Sequence, residues 1–160
     1  MEPTHLTLPI TVLPHGKGLS PPHYQSHGAA GLDLMAAIEP AKPLIILPQN
    51  RCLVPCGIAL VIPFGFEGQI RPRSGLALKF GVTILNSPDT IDSDYRGEIG
   101  AILVNLGDQP FTVQRGDRIA QLVIALVVRA RLDLAIDLDE TDRGANGFGS
   151  TGTSQKESLP

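Results

Sequence analysis

Seventeen glycines and fourteen prolines are scattered through 160 residues, and they cut the chain into short apolar runs. No stretch between them sustains a long 3.6-residue periodicity, so long amphipathic helices are excluded and many short strands are predicted. The runs fall at Ile10 to Leu13, Gly31 to Ala36, Leu44 to Leu47, Cys52 to Ile62, Phe66 to Arg71, Thr83 to Leu85, Glu98 to Asn105, Phe111 to Val113 and Arg118 to Val128. Gly75 to Phe80 is the best helical candidate, with Ser74 as N-cap and Gly81 as the stop. Strands spaced in this way predict an all-β sandwich or barrel. With no Trp and only 4% aromatic residues, its core must rest on Val, Ile, Leu and Ala. The run Ile119 to Val128 is apolar on both faces apart from Gln121, which predicts a strand buried in a core and at a subunit interface.

A net charge of −3 gives no electrostatic footprint for nucleic-acid binding, so the expected partner is a small molecule. No run approaches the roughly 20 apolar residues of a membrane helix. The opening residues lack the basic end and apolar stretch of a signal peptide, so the chain is expected to be soluble and cytoplasmic. Nine arginines against four lysines hint at planar recognition of anions. Cys52 and Cys56, if on one strand, face the same way but stand about 13 Å apart, too far for a disulfide. They read as small buried hydrophobes. The four histidines, at 5, 15, 23 and 27, show no metal-ligand spacing and are assigned no chemistry.

The segment Arg143 to Gly152 cannot build a core, since it holds one large apolar side chain among its glycines. Glycines let backbone N–H groups approach an anion, Ser150 and Thr151 add hydroxyls, Arg143 offers a planar fork and Phe148 a flat face for a base. Gly147 to Gly152 formally matches G-x-G-x-x-G, but that fingerprint needs a strand before it and a helix after it, which the neighbouring residues do not supply. A Walker loop also fails, because no Lys-Ser/Thr closes it. A disordered tail is the bland alternative.

Other clusters carry chemistry. Ile91-Asp-Ser-Asp-Tyr-Arg-Gly-Glu98 is either a hydrophilic hairpin tip or a place where the Asp92 carboxylate and the Tyr95 ring meet one ligand. Asn86 has the amide pattern to read a base edge. Arg73 and Ser74 beside a helix start suit phosphate, and Gln121 is an isolated amide in an apolar strand that needs a partner. Asp33 serves equally well as a turn cap or a functional carboxylate.

Together, Ala30-Gly-Leu-Asp-Leu-Met-Ala-Ala37, Arg71 to Val82, Asn86 through Glu98, Gly116-Asp-Arg-Ile-Ala-Gln-Leu122 and Arg143 to Gly152 resemble, in order, the five motifs of the trimeric dUTPase family. The resemblance implies a jelly-roll-like β-clip subunit with one short helix, residues 1–142, carrying a flexible arm, 143–160, that closes over an active site. It implies a homotrimer with sites shared between subunits, and Mg²⁺-dependent cleavage of dUTP to dUMP and diphosphate. That reaction limits uracil incorporation into DNA and supplies dUMP for dTMP synthesis. By similarity, Asp92 activates the water that attacks the α-phosphorus, and Tyr95 packs under deoxyribose and leaves no room for a 2′-hydroxyl. Asn86 with the backbone around Thr90, Ile91 and Gly100 reads uracil. Arg73, Ser74, Gly75 and Gln121 hold phosphates, while Phe148 stacks on uracil and Arg143 meets the γ-phosphate, assisted by Gly149, Ser150 and Thr151. Mg²⁺ rides on phosphates and water with no direct protein ligand, and Asp33 binds one of its waters. The alternatives are a dCTP deaminase or bifunctional enzyme of the same fold, and a non-catalytic trimeric nucleotide-binding module. Asp89 stands where the family commonly has glycine, which matters if that position needs φ > 0. Phe80 stands where histidine is frequent.

Overall fold

The computed structural model describes residues 5–147. Of these described residues, those up to Val128 form one compact unit and those from Arg129 to Gly147 belong to a second.

The first unit is built on two antiparallel sheets and two strand pairs. β1 (Ile10–Val12) pairs with β5 (Ile58–Leu60), and β3 (Leu44–Ile46) pairs with β10 (Phe111–Val113). The larger sheet runs β2 (Leu32–Met35), β11 (Arg118–Leu126), β6 (Phe66–Arg71), β8 (Asp89–Ile91). The smaller runs β4 (Arg51–Pro55), β9 (Gly100–Asn105), β7 (Val82–Ile84). Their inward residues form one aliphatic cluster, including Leu34, Ile70, Leu122, Val54 and Leu103, all at most 1% exposed. The core is aliphatic, as the composition requires, and Phe64, Phe80, Tyr24 and Tyr95 are exposed. Each fully buried Leu or Ile contributes roughly 1.5–3 kcal/mol.

Several local expectations change. The run Cys52 to Ile62 is two strands, because Gly57 turns the chain at φ 69. A Cβ there would lie 2.5 Å from Gly16 Cα, so only glycine fits. Cys52 is half-buried on β4, while Cys56 is buried just past its end, and both are free thiols. Strand β8 went unforeseen: two of its three residues are polar, and it exists only because Gln69 and Ile70 of β6 pair with Thr90 and Asp89.

Helix α1 (Ser74–Phe80) forms, but its N-cap is Arg73 rather than Ser74. Arg73 is extended, its carbonyl accepts from Leu76 and Ala77 N–H at 3.1 Å, and Ser74 is already helical. Gly81 does stop the helix, at φ 67. Strand β11 is buried only in its first half, and Leu126 is 77% exposed.

In the second unit, Leu132, Leu134, Ile136 and Leu138 alternate with Asp133, Ala135, Asp137 and Asp139. These four apolar side chains are 87–100% exposed.

Candidate active site

A cavity of about 450 Å³ opens where β8 and the turn after it face β4 and β9. Leu53, Pro55 and Ile102 give it apolar walls; Thr90, Ile91, Asp92, Tyr95 and Gly100 also line it. Four of the five predicted base, sugar and water-activating positions in this stretch thus converge with Gly100, although Gly100 lies on a different strand from Thr90. Asn86 is the exception. It is exposed, and its side chain is hydrogen-bonded to the Asp89 carboxylate.

The turn explains the placement of Asp92 and Tyr95. Tyr95 N–H donates to Asp92 carbonyl at 3.1 Å, closing a turn that leaves the Asp92 side chain exposed at the cavity. The Tyr95 ring folds back so that its hydroxyl donates to Glu98 carbonyl at 3.0 Å. Gly97 makes room, since a Cβ there would sit 2.3 Å from Tyr95 Oη. An exposed carboxylate beside a half-exposed ring, over an apolar floor, can orient a water next to a flat, partly apolar ligand.

Asp89 also lines the cavity, on ordinary extended backbone; among the described residues Gln49 alone has positive φ without being glycine. The concern over glycine at this position therefore lapses. Burial pushes its carboxyl above the usual range, partly offset by hydrogen bonds from the Asn86 side chain and the Thr90 backbone. Phe80 packs its ring against Phe111 with centroids 5.3 Å apart.

Glu98 is a cavity residue that the sequence reading left out. Its Oε1 accepts from Gly57 N–H at 2.8 Å and from His15 Nε2–H at 2.6 Å. A chain separation of 83 residues hid the second partner.

Arg73, Ser74, Gly75 and Gln121 gather elsewhere and do not line this cavity. Asp33 is nearly buried, with Arg118 Nη1 at 3.0 Å and Arg73 Nε at 3.6 Å. Arg73 Nη1 also donates to Arg118 carbonyl at 2.6 Å. A β-bulge between Arg118 and Ala120, the kind of irregularity that re-aims a side chain, lies beside this pair. Gln121 Nε2 donates to Pro72 carbonyl at 2.9 Å, which supplies the partner its setting demands. The carboxylate of Asp33 therefore holds two guanidiniums in place. Two arginines around one carboxylate leave a net positive charge suited to an anion. Among the described residues no three His, Cys, Asp or Glu form a metal cluster.

In the second unit Arg143 Nε donates to Asn146 carbonyl at 2.9 Å. Phe148, Gly149, Ser150 and Thr151 lie outside the described residues.

A cavity of ring, carboxylate and apolar floor, together with two arginines around Asp33, suits a ligand that has both a flat, partly apolar part and an anionic part. The dUTPase family profile matches residues 19–152, and the chain belongs to the dUTPase family. A deoxyuridine 5'-triphosphate nucleotidohydrolase of Methylocella silvestris is 61% identical over 147 residues, covering 92% of both chains. One of Rhizobium leguminosarum bv. trifolii is 58% identical, covering 91% of this chain and 94% of its own. The solved dUTPase of Staphylococcus bacteriophage 80alpha with dUPNHPP superposes with a TM-score of 0.77 at 26% identity, covering 92% of this chain and 99% of that one. A dUTPase of phage phi11 of S. aureus, described with a structural Mg(II) ion, shares the fold at 21% identity and a TM-score of 0.73.

Proposed function

We propose that the chain hydrolyses dUTP to dUMP and diphosphate by in-line attack of water on the α-phosphorus. The observation that carries this is the convergence of Asp92, Tyr95, Thr90 and Gly100 on one cavity in a chain of this family. Asp92 orients the water and takes its proton, which is worth about 10²- to 10⁴-fold. The remaining rate comes from fixed geometry and charge neutralisation. Thr90, Ile91 and Gly100 present backbone groups to uracil, and Tyr95 lies against the sugar. Asn86 reads the base after exchanging its bond to Asp89 for one to the ligand.

Arg73, Ser74 and Gly75 hold phosphates, with Gln121 near the α-phosphate and Asp33 keeping the arginines aimed. Arg143, Phe148, Gly149, Ser150 and Thr151 complete the enclosure. Mg²⁺ fits this donor set as an ion carried on substrate phosphates and waters; it would supply charge neutralisation on the leaving diphosphate. The assembly is a homotrimer. Supporting this, Arg73 and Arg118 do not line the nucleoside cavity of their own chain, and Leu132, Leu134, Ile136 and Leu138 expose apolar side chains that a neighbouring subunit would cover. We place the enzyme in the cytoplasm.

The test is product identity. Incubation with dUTP and Mg²⁺, followed by ³¹P NMR, should show dUMP and diphosphate; dUDP with phosphate would refute attack at the α-phosphorus. Ammonia release from dCTP would instead mark a deaminase.

A further inference from the structure

We propose that His15 is a positioning residue for the nucleoside cavity, acting through Glu98 to fix the Tyr95 ring and with it the enzyme's preference for deoxyribose over ribose. The inference rests on the proposed reading of Tyr95 as the sugar's neighbour.

The chain of contacts is continuous. A carboxylate only accepts, so the 2.6 Å contact to Glu98 Oε1 requires the hydrogen on His15 Nε2. The same oxygen accepts from Gly57 N–H at 2.8 Å, so Glu98 is held from two directions. Its carbonyl in turn accepts from Tyr95 Oη at 3.0 Å. Between the two, Arg96 Nη1 braces the near side of the turn through the Ser93 and Tyr95 carbonyls, both at 2.7 Å, while Gly97 has no side chain to brace the Glu98 side. The hydroxyl end of the ring therefore depends on how firmly Glu98 is anchored.

His15 is itself rigidly presented. It sits in a 3₁₀ turn, Pro14–Gly16, that backs on Gly57 so closely that a Cβ on Gly16 would meet Gly57 carbonyl oxygen at 2.2 Å. Leu13 N–H donates to that same carbonyl at 2.8 Å. From behind, Arg115 Nη1 donates to the carbonyls of His15 at 2.8 Å and Ile38 at 3.0 Å, while its Nη2 donates to Lys17 carbonyl at 2.9 Å. Three carbonyls on one guanidinium make a fixed mount rather than a passing surface contact. An imidazole so mounted, ending on a residue of the cavity, has a geometry that bulk stability alone would not require.

The protein has two tyrosines and no tryptophan, so Tyr24→Phe leaves Tyr95 as its own fluorescent reporter. In that background, His15→Ala should raise acrylamide quenching of Tyr95 at least twofold. In the otherwise unaltered chain, it should lower the ratio of kcat/KM for dUTP over UTP about tenfold, mainly through a higher KM for dUTP and a gain on UTP. His15→Gln, which keeps an N–H donor, should recover most of both effects. Glu98→Gln should fall between, and it serves as the second variant if His15→Ala fails to give a native circular dichroism melt. Unchanged quenching in a folded His15→Ala protein overturns the proposal. Changed quenching with an unchanged dUTP over UTP ratio overturns its selectivity part. Changed quenching in a protein whose parent chain leaves dUTP intact would sustain the positioning of Tyr95 and refute the proposed function instead.

Discussion

Asp92 and Cys56 show how one side chain's surroundings decide its chemistry. Asp92 sits exposed at the mouth of the cavity, free to meet water and ligand. Replacing it with Asn keeps the shape and removes the base. Asp92→Asn should lower diphosphate release by about 10²- to 10⁴-fold, while titration calorimetry with a non-hydrolysable dUTP analogue still registers binding; undiminished turnover would remove Asp92 from the role. Cys56 is the opposite case. Burial, reinforced by the nearby Glu98 charge, pushes its thiol from 9.0 up to about 12. On unfolding the thiol ionises near its ordinary value, so between these pH values the unfolded chain has released a proton that the folded chain retains. Stability therefore declines as pH rises through that window, by on the order of 2 kcal/mol by pH 10.5. Urea unfolding at pH 8 and pH 10.5 should show a steeper loss for the wild-type chain than for Cys56→Ala.

Elements are placed by tight backbone approaches as much as by propensity. Gly81 ends α1 at φ 67, and a Cβ on it would meet Gly107 N at 2.6 Å. Gly81→Ala therefore combines left-handed strain with a backbone clash. It should cost at least about 1–3 kcal/mol in urea unfolding. Helix stop, turn residues and aliphatic alternation were legible because each depends on neighbours a few residues away. The Ser74 cap was misread because the extended backbone of Arg73 already provides the capping carbonyl. Strand β8 was illegible because its hydrogen-bond partner is β6, across a helix and β7 in the chain.

At the scale of the molecule, the exposed apolar side chains of the second unit matter most. Alternating Leu132, Leu134, Ile136 and Leu138 are 87–100% exposed, a cost that assembly would relieve at roughly 25 cal/mol per Å² covered. If the proposed trimer buries these side chains, Leu134→Asp together with Ile136→Asp should shift sedimentation from three chains toward one; three chains in both proteins would remove these residues from the interface. Truncation after Asp142 should keep the trimer while lowering turnover, as measured by diphosphate release, because it removes only the glycine-rich arm.

The sequence by itself determined a helix-poor, short-stranded fold with an aliphatic core, and the chemical types gathered between Asn86 and Gly100. Glycine, proline and apolar spacing act through local backbone geometry, which a linear text records. Only the tertiary structure decided that Asp33 is taken up by Arg73 and Arg118, that this pair does not line the cavity, and that His15 reaches Glu98 across 83 residues. Those pairings depend on how sheets stack and where turns abut. A histidine in a proline and glycine loop carries no mark of the carboxylate that packing brings to it.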